Sequence, residues 1–157
     1  MLTIKLIVLG TLKEDYLKKA VKEYEKRLSA FCNLKIIEIP ECKTGNSQAL
    51  VDKALKIEAD LIISAIGQSF AVPMCIEGEK LSSEQLAKFI SQKAVMGESS
   101  IAFVIGSSHG LHNSVKSMGK GISVSDMTFP HQLFRVMLLE QIYRAFQIQT
   151  GTKYHKW

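Results

Sequence analysis

The chain has 157 residues, 46% of them apolar, and a formal net charge of +5, which suits one compact domain over residues 1–157 and leaves little room for a second. No run approaches the ~20 apolar residues of a membrane span, and "MLTIKLIVLGTLKEDY" reaches charge after Gly10 without a small-residue cleavage site, so a soluble cytoplasmic protein is expected. Cys32, Cys42 and Cys75 form no CxxC pair, which argues against a disulfide framework or a zinc ribbon, and the basic balance is compatible with a nucleic-acid partner without requiring one.

"TIKLIVLG" is a β-branched run closed by a glycine, and its unbroken apolar character predicts a strand buried on both faces. In "EDYLKKAVKEYEKRLSAF" the apolar residues Leu17, Ala20, Val21, Tyr24, Leu28 and Phe31 recur at three-and-four spacing, the pattern of an amphipathic helix with a Lys/Glu outer face. "LKIIEIP" reads as a second strand, and "ECKTGNSQ" as a polar connection whose Lys43 is equally compatible with an RNA phosphate and with solvent. Ser47 is placed to cap a helix through about Glu58, "DLIISAIG" reads as a third strand, and "FAVPMCIEG" as an extended piece broken by Pro73. Ser82 or Ser83 caps a helix ending near Gly97; "SSIAFVIG" is another buried strand, followed by a short helical segment after Gly110, the small strand "GISVS", and a long helix from Pro130 to about Gln149. This alternation predicts an α/β fold with a mainly parallel sheet.

Two stretches lie where strands give way to helices, the place where open α/β sheets bind ligands. "FVIGSSHG" carries Gly106 and Gly110, which let backbone groups approach a ligand, but it is neither the dinucleotide fingerprint nor Walker A. It matches Gly-x-Ser-x-Gly, so Ser108, with Asp126 and His155 in hydrolase order, allows a small serine hydrolase as an alternative, beside a non-catalytic nucleotide-binding module. His109 and His112 have no obvious metal-ligand partners, and no metal is expected. In "SDMTFPHQLFR" Pro130 opens the long helix, with Thr128 a candidate cap. At ~100° per residue, that helix is apolar in nearly every direction, so it is either an internal core helix or is covered by a second subunit.

With these residues in hand, the chain resembles the RlmH branch of the SPOUT methyltransferases, which methylate a pseudouridine of large-subunit ribosomal RNA using S-adenosylmethionine. The resemblance rests on "YEKRL", "IEG", "FVIGSSHGLH", "SDMTFPHQLFRVMLLEQIYRAF" and the terminal "YHK", and so spans the chain. It implies a C-terminal trefoil knot, a homodimer with pockets near the subunit interface, and methylation at N3 of the pseudouridine, on the large-subunit RNA or the assembled ribosome. Carried over by position, the cofactor loops comprise Met74, Gly106, Val124, Ser125, Asp126, Met127, Thr128 and Phe129. The sequence departs from the commoner family pattern at Ser107, where a second glycine is usual, and at Cys75, where an acidic residue is frequent. Arg144, Tyr154 and His155 are the candidate catalytic residues, the cation favouring an ionised base and the imidazole relaying a proton. Arg135, Lys153 and Lys156 are expected at phosphates.

Overall fold

A computed structural model describes residues 1–156. In chain order it contains β1 (Thr3–Leu9), α1 (Asp15–Leu28), β2 (Asn33–Ile39), α2 (Gln48–Ile66), β3 (Phe70–Lys80), α3 (Ser83–Val95), β4 (Ser100–Ile105), α4 (Asn113–Lys116), β5 (Ile122–Ser123) and α5 (His131–Gln149). The strands form one sheet in the order β2-β1-β4-β3-β5, and every pairing is parallel. The α/β expectation therefore holds.

Side-chain alternation along the central strands divides the core in two. Ile4, Leu6 and Val8 of β1, with Ile101, Phe103 and Ile105 of β4, pack with residues of α1, α3 and α5. Ile7 and Leu9, with Ala102 and Val104, face Ala59, Ile62 and Ile66 of α2 and Val115 of α4. Burial on both faces is why these strands read as unbroken apolar runs.

The stretch "DLIISAIG" is not a strand. The helix capped by Ser47, whose Oγ accepts from the Leu50 N–H at 3.2 Å, continues through it to Ile66. Local β-propensity is overridden by helical spacing: Ala54, Glu58, Ala59, Ile62 and Ile66 form one buried stripe. The extended piece after it is likewise not broken at Pro73, because β3 runs through that residue in register with Val104 of β4. Ala71 O accepts from the Lys120 N–H at 3.0 Å, so alternate residues from Ala71 turn their polar groups away from β4. The N–H that Pro73 lacks falls on that side, where no β4 partner waits for it.

The α3 start has a full capping box: Ser82 Oγ accepts from the Gln85 N–H at 3.1 Å, and the Gln85 side chain accepts from the Ser82 N–H at 2.8 Å. Such a cap stabilises by about 1 kcal/mol. At α5 the N-cap is Pro130, with no side-chain cap, so Thr128 does not serve there. The segment leading into β5 presses on β3: a Cβ at Gly119 would lie 1.9 Å from Ala71 O, at a φ of +52°. Only glycine fits this crossing.

Helix α5 packs between α1 and α3 and the sheet, and Leu138, Leu139, Ile142, Ala145 and Phe146 are buried within the chain itself. Phe146 stacks on Phe31 at 5.8 Å between ring centres. Part of the remaining apolar surface, at Leu133, stays open to solvent.

Candidate active site

Register places the predicted cofactor residues together. Met74, midway along β3, pairs with Ile105 at the end of β4 and with Ile122 of the short β5, so it lies level with the carboxyl ends of those two strands while β3 runs on to Lys80. Gly106 follows Ile105 directly, and Val124 follows β5. These ends surround a cleft of about 380 Å³ whose lining includes Met74, Gly106, Val124, Ser125, Met127, Thr128 and Phe129. Asp126 is the exception: its carboxylate turns out to pair with Lys80.

The two loops have fixed shapes. A Cβ on Gly106 would lie 2.5 Å from Gly110 O, a backbone atom that has no rotamer to yield, so the loop closes tightly enough to admit only glycine. Gly110 N–H donates to Ser107 O at 2.9 Å across that closure. In the second loop Ser125 Oγ accepts from the Met127 N–H at 3.0 Å, and Ser123 Oγ donates to Ser125 O at 3.1 Å. Ser-centred turns of this kind hold a binding loop in shape before any ligand arrives.

Beside this cleft opens a wider, more apolar one of about 590 Å³, which shares Met74, Ile122, Val124, Ser125, Phe129 and Phe134 and adds Leu81, Met137 and Glu140. Glu140 links the cleft to the candidate catalytic residues. Its carboxylate accepts from Arg144 Nε at 3.0 Å and from the Tyr154 hydroxyl at 3.1 Å. Arg144 Nη1 donates to His155 Nδ1 at 3.1 Å, and His155 Nε2 meets Glu84 Oε1 at 2.8 Å. Arg144, Tyr154 and His155 thus form one cluster, with the tail folded back on α5 and on the first turn of α3. The helix pairing of Glu140 with Arg144 and the tail contact coexist.

Burial, then the neighbouring Glu140 carboxylate, pushes the Tyr154 phenol up to about 12, so near neutrality it keeps its proton and donates it to Glu140 in a hydrogen bond. The hydrogen bond from His155 holds the Glu84 carboxyl below its ordinary value. Aromatic contacts seat the tail further: Tyr154 lies edge-on to Tyr143 at 5.0 Å, and the Arg144 guanidinium sits over the Tyr154 ring at 4.8 Å.

Other expectations need correction. Arg135 is not a phosphate contact: it is 2% exposed, and its guanidinium donates to Glu38 at 2.9 Å and to Gly10 O at 3.4 Å. Lys153 and Lys156 are exposed. The hydrolase triad is not assembled, since Asp126 is held by Lys80 and both ring nitrogens of His155 face Arg144 and Glu84. His112 caps α4 through Nδ1, which accepts from the Ser114 N–H at 3.1 Å. Among the described residues no group of three or more His, Cys, Asp or Glu is arranged to hold a metal ion, and no helix is long and apolar enough to cross a membrane. Sequence reasoning missed Glu84, whose place in the first turn of α3 reads simply as favourable for the helix dipole.

Residues 2–155 match the family described as "Predicted SPOUT methyltransferase". The chain belongs to that family. Membership of the SPOUT methyltransferases implies the C-terminal trefoil knot, and the close crossing at Gly119 suits so compact a path. The chain is 48% identical to the ribosomal RNA large subunit methyltransferase H of Streptococcus suis, over 98% of this chain and 99% of that protein. It is 48% identical to the protein of the same name from Clostridium acetobutylicum, over 99% and 100%. Among solved structures, a probable methyltransferase from Bordetella pertussis shares the fold with a TM-score of 0.59 at 14% identity, covering 90% of this chain and 93% of that one. The tRNA (m1G37) methyltransferase of Aquifex aeolicus does so with a TM-score of 0.52 at 14% identity, covering 90% and 69%.

Proposed function

We propose that this SPOUT methyltransferase methylates N3 of a pseudouridine in large-subunit ribosomal RNA, in the cytoplasm, using S-adenosylmethionine. The observation that carries the reading is the convergence of Met74, Gly106, Val124, Ser125, Met127, Thr128 and Phe129 on one cleft beside the Glu140 cluster. The residues present fit the cofactor. Met74, Ile122 and Phe129 offer apolar walls to a purine ring, while the Ser125 and Thr128 side chains and the backbone of 106–110 offer polar groups. S-adenosylmethionine supplies a methyl group already activated on a sulfonium.

The work left to the chain is alignment and control of one proton. Glu140 orients Arg144 and Tyr154 from a single carboxylate. Arg144 provides a permanent positive charge that favours the deprotonated form of a nearby uracil-like base. His155 is the group suited to take up the proton, and exposed Lys153 and Lys156 add phosphate affinity without sequence information.

A homodimer is part of this reading. After α1, α3 and the sheet have covered α5, the wider cleft is still lined by Leu81, Val124, Phe134, Val136 and Met137, with Leu133 exposed nearby. A second copy laid across that apolar surface would cover it and bring the two clefts near the interface.

Calorimetry with S-adenosylhomocysteine tests the cofactor assignment. Binding that raises the melting temperature is expected, by mass action on the native state. A folded protein that binds nothing at millimolar ligand would overturn it.

A further inference from the structure

On the far side of the 106–110 loop lies a second cavity of about 280 Å³, lined by Glu41, Cys42, Lys43, Glu58, Ser107 and His109 among others. Its floor is Glu58 of α2, a carboxylate that is 3% exposed. Burying a carboxylate is costly, and an apolar residue would serve packing better at such a place. Its neighbours are the Cys42 N–H, which donates to Oε2 at 2.9 Å, the Ser107 hydroxyl, the His109 ring, and Glu41 as a further negative charge. Burial raises its pKa despite the Cys42 hydrogen bond and the facing Ser107 hydroxyl.

We infer that Glu58 is a positioning residue that clamps two loops, 41–44 and 106–110, and through Ser107 fixes the wall of the cofactor cleft. The path is short. Cys42 hangs on one carboxylate oxygen, and the Ser107 side chain faces the same carboxylate. Ser107 Oγ also receives the His109 N–H at 3.4 Å, and its carbonyl receives the Gly110 N–H. Ser107, Ser108 and His109 line both cavities, so the loop is a partition with Glu58 behind it and the cofactor cleft in front. This also gives a use to the serine at 107, whose hydroxyl faces the Glu58 carboxylate at the second cavity.

The inference rests on the cofactor lying in that cleft, so its test has one readout that needs no cofactor. In the unliganded full chain, amide hydrogen exchange in Glu58→Leu should rise at 41–44 and 106–110 and stay at the wild-type level in β1 and α5. Ser107→Ala should loosen 106–110 alone, and Glu58→Gln, which keeps an acceptor for Cys42, should loosen 41–44 less than Glu58→Leu. Calorimetry should then show S-adenosylhomocysteine affinity falling about tenfold in Glu58→Leu, the equivalent of one lost hydrogen bond to a charged group. The melting temperature should hold, because a buried carboxylate has been replaced by an apolar side chain. Unchanged exchange at 106–110 would overturn the clamp. Raised exchange with unchanged affinity would overturn its role toward the cofactor, as would an affinity loss that merely tracks a fall in melting temperature. A wild-type chain that binds no S-adenosylhomocysteine would refute the cofactor assignment instead, with the exchange data still deciding the clamp.

Discussion

Arg144 and His155 meet at 3.1 Å, guanidinium Nη1 to imidazole Nδ1. An arginine only donates, so Nδ1 is the acceptor, and the proton of a neutral ring sits on Nε2, aimed at Glu84. In the proposed reaction Nδ1 must part from Arg144 before it can accept the substrate proton, so proton uptake would be coupled to movement of the tail. Deleting residues 153–157 should leave S-adenosylhomocysteine affinity at the wild-type level and abolish methylation. His155→Ala should lower kcat by about 100-fold or more, the usual worth of a positioned proton acceptor, with little change in the KM for the cofactor. Steady-state methyl transfer with calorimetry on each variant decides it.

The dimer prediction uses residues chosen from the structure. Ile142 and Phe146, inviting targets on a helix apolar all round, are buried inside the protomer at 0% and 8% exposure. A charge there would damage the core. Leu133, at 39%, lies on the open surface of α5, so Leu133→Glu should convert a dimer to a folded monomer. Light scattering at micromolar concentration reads the result, and a wild-type monomer would contradict the interface.

Arg135 yields a stability prediction. Truncation to alanine removes a buried side chain and strands its contacts with Glu38 and Gly10 O, and should cost about 3 kcal/mol in urea unfolding. Its Nε, buried without a hydrogen-bond partner among the described residues, already carries a desolvation cost. Arg135→Met, which refills the volume and removes the charge, should be milder than Arg135→Ala.

Tyr154 sets a high-pH limit. Its folded-state pKa of about 12 exceeds the ordinary 10.0, so the folded chain keeps the proton where the unfolded chain releases it. The stability this contributes is complete below about pH 10 and is lost as pH rises through about 12. Tyr154→Phe should flatten the decline in that window, and absorbance titration of the wild type should show one tyrosine ionising late.

Much of this architecture was readable because strand burial leaves an unmistakable mark: "IAFVI" is apolar throughout since β4 is covered on both faces and paired on both edges. The same rule misled at "DLIIS", where consecutive apolar residues belong to a helix whose outer Leu61 is simply exposed. The loops that line the proposed cofactor cleft stand out in the sequence as a motif and, at Gly106, as a glycine at a strand end. What could not be read were pairings across long separations: Arg135 with Glu38, His155 with Glu84, and Glu58 with Cys42 join residues on different elements, and no local spacing records them. For the same reason Arg135, a charged residue on the same side of its helix as His131 and Gln132, passes in sequence for a surface cation.

The central claim is the reaction, and one measurement addresses it directly: incubation of the protein and S-adenosylmethionine labelled on its methyl group with ribosomes lacking the modification, followed by mass analysis of the digested nucleosides. The account predicts a single labelled product, pseudouridine carrying the methyl group at N3, from large-subunit RNA. Label in another nucleoside or in protein, or no transfer by a chain shown to be folded and to bind S-adenosylhomocysteine, would contradict it.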